Sequence, residues 1–197
     1  MPELLLFVED QAQEKFLTAL LSRIATERAV RVSVRPRSTQ GGFAKVLSQL
    51  EAFAKAVDRG REPLPDGLVI GLDANCQGYV ERRRMVLQRA GQLSDLVICA
   101  IPDPHIERWF LLDGEAFREA LGAGCAAPDE KCEKGRYKRL LNQAVRQAGV
   151  QPLLGGVEYA EDIVNACHIQ RVADRDASFG RFVSDFRNWL NRQQHGV

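Results

Sequence analysis

Leu4-Leu5-Leu6-Phe7-Val8-Glu9-Asp10 is the stretch whose reading decides the fold. Five consecutive apolar residues leave no polar face. A strand of this kind is buried on both sides, as in a parallel sheet covered by helices, and the acidic pair ends it. Downstream, Phe16, Leu17, Leu20, Leu21 and Ile24 recur at helical spacing over residues 11–27. Val30, Val32 and Val34 then alternate with Arg31, Ser33 and Arg35, which predicts a half-exposed strand nearer an edge. Gly41-Gly42 breaks the chain before a second helix, where Phe43, Val46, Leu47, Leu50 and Phe53 share a face. A polar loop rich in Pro and Gly covers residues 58–67. The third strand is Leu68-Val69-Ile70-Gly71-Leu72, followed by a basic helix over about residues 79–89. The fourth is Leu96-Val97-Ile98-Cys99-Ala100-Ile101, closed by Pro102 and Pro104 before a helix containing residues 106–112. Strands alternating with helices predict an α/β fold: a mostly parallel four-stranded sheet with helices on both faces.

Beyond about residue 114 the pattern turns helical and more polar. Residues 130–148 are expected to form a helix interrupted at Gly135. Residues 178–190 carry Phe179, Phe182, Val183, Phe186, Trp189 and Leu190 on one stripe, which needs a partner surface. The expected partner is the chain's own sheet. The expected organisation is an α/β domain over residues 1–115 and a helical C-terminal extension over 116–197 packed on the same core.

The chain has 197 residues, 45% of them apolar, and a formal net charge of +1 from 27 basic and 26 acidic residues. A nucleic-acid surface must therefore come from local segregation of charge. The five cysteines (Cys76, Cys99, Cys125, Cys132 and Cys167) show no C-x-x-C spacing, and their odd number argues against a disulfide framework. His105, His168 and His195 are too dispersed for a Cys/His zinc site. The amino-terminal apolar run is short and lacks a preceding basic region, so a strand is expected rather than a signal peptide. With no apolar stretch of membrane-spanning length, a cytoplasmic protein that does not engage membranes is expected.

Ligands of parallel α/β sheets bind beyond the carboxyl ends of the strands. Glu9 and Asp10 follow the first strand, Asp73 the third, and Asp103 and Glu107 the fourth. Hard cations such as Mg²⁺ and Mn²⁺ take oxygen ligands, including one to three carboxylates. Asp10 and Asp103 also suit helix capping. Glu9, Asp73 and Glu107 are the candidate metal ligands.

These residues carry a resemblance. Phe7-Val8-Glu9-Asp10, then a helix, then Ile70-Gly71-Leu72-Asp73-Ala74-Asn75 resembles the TOPRIM domain of primases, topoisomerases, ribosomal-RNA maturases and overcoming-lysogenisation-defect nucleases. Residues 101–113, with Ile106-Glu107-Arg108-Trp109, are similar to a Pro-x-x-x-Ile-Glu-x-Trp signature of small stand-alone TOPRIM-like proteins suspected in bacterial (antiviral) defence. The resemblance spans residues 1–115. It implies a magnesium-dependent nuclease, a hydrolase of phosphodiester bonds using Mg²⁺ or Mn²⁺. Glu9, Asp73 and Glu107 would be its catalytic and metal-binding residues. The second Asp of the Asp-x-Asp element is Asn75 here, which can offer only a neutral oxygen. Such proteins often work with a separate ATPase. This chain has no phosphate-binding G-x-x-x-x-G-K loop, so any NTP hydrolysis would be the partner's.

A nucleic-acid substrate, DNA or RNA, needs cations, and Lys131, Lys134, Arg136 and Lys138 form the more persuasive basic cluster. Arg82-Arg83-Arg84 point three ways around a helix and cannot all face one ligand. A catalytically weak or inactive interaction subunit is the alternative, and Asn75 favours it. The third reading is a small-molecule phosphatase or nucleotide-binding protein, for which Gly41-Gly42 opens a helix that could bind phosphate. An oligomer is compatible with all three.

Overall fold

The computed structural model describes residues 1–38 and 41–195. Four parallel strands, β1 (Glu3–Val8), β2 (Ser33–Ser38), β3 (Gly67–Gly71) and β4 (Val97–Ala100), form one sheet in the order β2-β1-β3-β4. The expected α/β architecture is present. β1 lies between β2 and β3, with Phe7 registered on Arg37 and Ile70. The apolar runs of β1 and β3 are buried on both faces, as their lack of alternation requires.

β2 is an edge strand, but it starts later than the Val30–Val34 alternation implies and continues through Pro36. Proline has no N–H for a ladder, and an edge strand tolerates it because one side of its backbone has no neighbour.

The pleat divides the core in two. Leu4, Leu6 and Val8 point toward α1 (Gln11–Glu27), where they meet Phe16, Leu17, Leu20, Leu21 and Ile24. Leu5 and Phe7 point toward α2 (Gly42–Asp58) and α3 (Gly78–Ala90). The short α4 (Ile106–Phe110) follows β4 and packs on the α1 face.

The C-terminal part adds α5 (Gly114–Leu121), α6 (Arg136–Gln147), α7 (Ala160–Ala166), α8 (Ile169–Arg175) and α9 (Ala177–His195). The aromatic stripe of α9 is buried against the chain's own core. Trp109 packs on Phe16, Phe179 and Phe182, and its indole N–H donates to Ser178 Oγ at 3.0 Å. Arg108, nearly buried on α4, pairs with the buried carboxylate of Asp176 at the start of α9. A second carboxylate, Asp113, caps α5 and accepts from His168 N and Arg171.

Two expectations need correction. The helix anticipated from residue 130 begins only at Arg136, because Gly135 adopts φ +70° and serves as its N-cap. Although no disulfide framework was expected, Cys76 and Cys132 form a single disulfide 56 residues apart in sequence. It joins the turn after Asp73 to the loop before α6. Among the described residues, no helix is long and apolar enough to cross a membrane.

Candidate active site

Because β1 and β3 are parallel neighbours, their carboxyl ends lie side by side, and Glu9 meets Asp73 there. The Asp73 N–H donates to Glu9 Oε1 at 2.8 Å. Gln13, on the first turn of α1, clamps the pair. Its Oε1 accepts from the Glu9 N–H at 3.0 Å, and its Nε2 donates to Asp73 Oδ1 at 3.0 Å. Glycine at 71 leaves room for this clamp: a Cβ there would stand 2.8 Å from Leu17 Cδ1, 2.9 Å from Val8 Cγ1 and 3.1 Å from Gln13 Oε1, so all three side chains would have to shift.

The β4 end completes the group. Ile106 N–H at the start of α4 donates to Asp73 Oδ1 at 3.0 Å, so Asp73 rather than Asp103 caps that helix. Asp103 instead uses its N–H to reach Ser178 Oγ. His105 Nδ1 lies 2.9 Å from Asp73 Oδ2. Glu107 projects from the first turn of α4 and is only 2% exposed. Lys138 of α6 stands over it, with Nζ 3.6 Å from Glu107 Oε1 and 4.0 Å from Asp10 Oδ2. Asp10 caps α1 as expected, accepting from Gln13 N.

This concentration of acids shifts their protonation. Burial, then the charge of Asp73, pushes the Glu9 carboxyl up to about 7. Burial and Asp73 likewise raise Glu107 to about 7, against the opposing pull of Lys138. His105 is raised chiefly by its hydrogen bond to Asp73. Partial burial works against the charge on Lys138, but Glu107, Asp10 and Asp73 outweigh it and raise its pKa. Two carboxyls are thus held near neutrality among other acids, in a place that gains from added positive charge.

The donor set suits a hard divalent cation: carboxylate oxygens from three strand ends, two of them readily exchanging a proton for a metal. Glu9, Asp73 and Glu107 are the residues that could hold it. Asp73 already satisfies both oxygens within the protein. Among the described residues, no three His, Cys, Asp or Glu side chains converge at ligand spacing. Asn75 sits at φ +50°, a conformation asparagine tolerates better than most residues, and its Nδ2 donates to the Asp73 carbonyl at 3.3 Å.

Of the anticipated basic cluster, only Lys138 reaches the acids. Arg136 pairs with Asp129, Lys131 lies 3.2 Å from the same carboxylate, and Lys134 is exposed in the loop ahead of α6. Lys138 opens instead onto a cleft of about 740 Å³ between α1 and α6, lined also by Arg139, Asn142 and Arg146, with Glu107 and Asp10 on its wall.

Three residues of the site have no signature in the sequence. Gln13 is a buried amide four positions after Glu9 and is recognisable only as a polar residue on an apolar helix face. His105 lies inside the segment that resembles the Ile-Glu-x-Trp signature. Arg82, from the basic triplet, is 95% buried rather than solvated, since its exposure is only 5%.

No curated protein and no solved structure matches the chain. A family model, described as a domain of unknown function (DUF4276), matches residues 8–187. That span runs from the end of β1 into α9 and takes in Glu9, Asp73, Glu107 and Lys138, and by it the chain belongs to the DUF4276 family.

Proposed function

We propose that this protein is a divalent-metal-dependent nuclease that hydrolyses phosphodiester bonds in DNA or RNA. The observation that carries the reading is the pairing of Glu9 with Asp73 at the carboxyl edge of a parallel sheet, with Glu107 near enough for the Asp73 charge to raise its carboxyl, so that two of the three carboxyls lie near pKa 7. The TOPRIM resemblance of the same residues supports it, as does the cationic cleft beside Glu107.

A bound Mg²⁺ or Mn²⁺ would polarise the phosphate and lower the pKa of a water. Glu9, with a carboxyl near 7, is suited to accept the proton of the attacking water. Lys138, with Nζ 3.6 Å from Glu107 Oε1, would offset charge gathering on the phosphoryl oxygens. His105 is fixed by Asp73 through Nδ1, and its raised pKa favours the imidazolium, suited to protonating the leaving oxygen. Gln13 holds Glu9 and Asp73 in register. A separate ATPase subunit that controls the activity, and a role as effector of bacterial defence, belong to the same proposal.

The hydrogen-bonded state of Asp73 favours a second reading: an interaction subunit that keeps the fold without the chemistry. Plasmid, single-stranded DNA and RNA incubated with Mg²⁺ or Mn²⁺ separate the two. Cleavage by the wild type that drops at least a hundredfold in Glu9→Ala and Asp73→Ala is the expected outcome. Equal residual cleavage in all three proteins would assign it to contamination and leave the second reading.

A further inference from the structure

On the α2 side of Glu9 lies a cation that the chemistry above does not use. Arg82 projects from the second turn of α3, and its Nε and Nη1 are buried without any hydrogen-bond partner. Arginine is permanently charged, and a buried guanidinium normally pairs with carboxylate, carbonyl or phosphate oxygens. The ordinary solution is present elsewhere in this chain: Arg108, equally buried, bonds to Asp176, Glu130 and two carbonyls. Among the described residues, Arg82 has a ring face instead. Its guanidinium carbon lies 4.0 Å from the ring centroid of Phe43.

Phe43 is the second residue of α2, so the guanidinium packs on a side chain carried by the first turn of a 17-residue helix. The N-cap there is Gly41, and no side chain caps the turn. Gly41 is exposed, Gly42 partly so, and a Cβ built on Gly42 would meet nothing within 4 Å. First-turn N–H groups and the positive end of the helix dipole lie at this end of α2. Glu9 feels the same guanidinium, whose charge opposes the upward shift of its carboxyl. An unpaired guanidinium therefore flanks the acid cluster on the α2 side, as Lys138 does on the α6 side.

We propose that Arg82 and the amino-terminal turn of α2 form a phosphate-binding subsite that seats a phosphate of the substrate chain beside the Glu9–Asp73 centre. A phosphate there would supply the oxygen acceptors that the guanidinium lacks and fill the anion-binding position of the helix. The chemistry required is a phosphoryl group, as inorganic phosphate or as part of a nucleic-acid backbone. The assignment deepens the nuclease reading, on which it rests for the identity of the chain being held, but binding at the subsite requires neither metal nor turnover.

The test is carried out on the full chain in EDTA. Thermal melts in phosphate and in chloride at matched ionic strength are compared for wild type and Arg82→Met, and a fluorescent oligothymidylate is titrated over a salt series. Phosphate is expected to raise the wild-type melting temperature by several degrees and to leave Arg82→Met unmoved. In chloride, Arg82→Met should melt at or above the wild type, since the substitution removes a buried unpaired charge. For the oligonucleotide, the slope of log K against log salt should fall by about 0.7 in Arg82→Met, the contribution of one phosphate contact on a single strand. Response to oligonucleotide alone would place the subsite on the nucleic-acid backbone; response to both would make any phosphoryl group sufficient. In wild-type protein, the Arg82 Nε–H resonance should shift on phosphate addition, a readout independent of whether the variant folds. No preference for phosphate over chloride together with a stationary Nε–H resonance, or an unchanged salt slope in folded Arg82→Met, would overturn the subsite. Phosphate binding without any cleavage under Mg²⁺ or Mn²⁺ would instead sink the nuclease reading and leave the subsite standing.

Discussion

Glu9 and Glu107 show how a side chain's chemistry is set by its address. Each is an ordinary glutamate in the sequence, and burial beside Asp73 moves both from the usual 4.5 to about 7. The sign of the consequence follows directly. With the folded pKa above the unfolded one, the native state binds more protons between about pH 4.5 and 7. These two groups therefore contribute stability that is full below about 4.5 and is lost as the pH rises through about 7. Chemical denaturation of metal-free protein should show this decline, on the order of a few kcal/mol, and Glu107→Gln should flatten it. A stability profile of wild type and variant that runs parallel from pH 5 to 8 would contradict the assignment. Glu9 and Asp73 are legible in the sequence because parallel apolar strands bring their carboxyl ends together. Gln13, His105 and Arg82 are not, because each draws its role from a contact between distant elements: 60 residues separate Gln13 from Asp73, and 32 separate His105 from it.

At the scale of elements, β1, β3 and β4 could be read from their unbroken apolar runs, since only strands covered on both faces show them. β2 begins beyond the Val30–Val34 alternation and runs through a proline-containing segment that an edge position accommodates. The segment ahead of α6 departs from the expected helix for a local reason: its composition suits a helix, but Gly135 turns the backbone to positive φ and leaves Lys131 and Lys134 in a loop. That loop is tied to the Asp73 turn by the Cys76–Cys132 disulfide, so the helix bearing Lys138 is tethered to the acids it faces. Closing 56 residues lowers unfolded-chain entropy by about 4 kcal/mol at 25 °C on the loop-closure scale. Cys76→Ser/Cys132→Ser or reduction should lower unfolding stability by a comparable amount, read by urea denaturation with and without reductant. No change on reduction would show that the two cysteines do not bridge in solution.

For the whole molecule, the C-terminal helices complete the core on the α1 face of the sheet. Arg108 links α4 to α9 through Asp176, whose other oxygen accepts from Ser178 Oγ and Phe179 N. Asp176→Ala would leave a buried guanidinium without its main partner and uncap α9, costing about 3–5 kcal/mol. A urea midpoint close to wild type would show that the pair does not fasten these helices. The acid cluster, β2 to β4 and the C-terminal helices as far as residue 187 fall within the span matched by the DUF4276 model, whereas β1 contributes only its last residue. Calorimetric titration with Mn²⁺ decides whether Glu9, Asp73 and Glu107 hold a divalent cation, as proposed. The expected result is saturable binding by wild type, tighter at pH 8 than at pH 6, with protons released as Glu9 and Glu107 lose theirs, and at least tenfold weaker binding in Asp73→Ala. Binding that is absent from the wild type, or equal in Asp73→Ala, would contradict it.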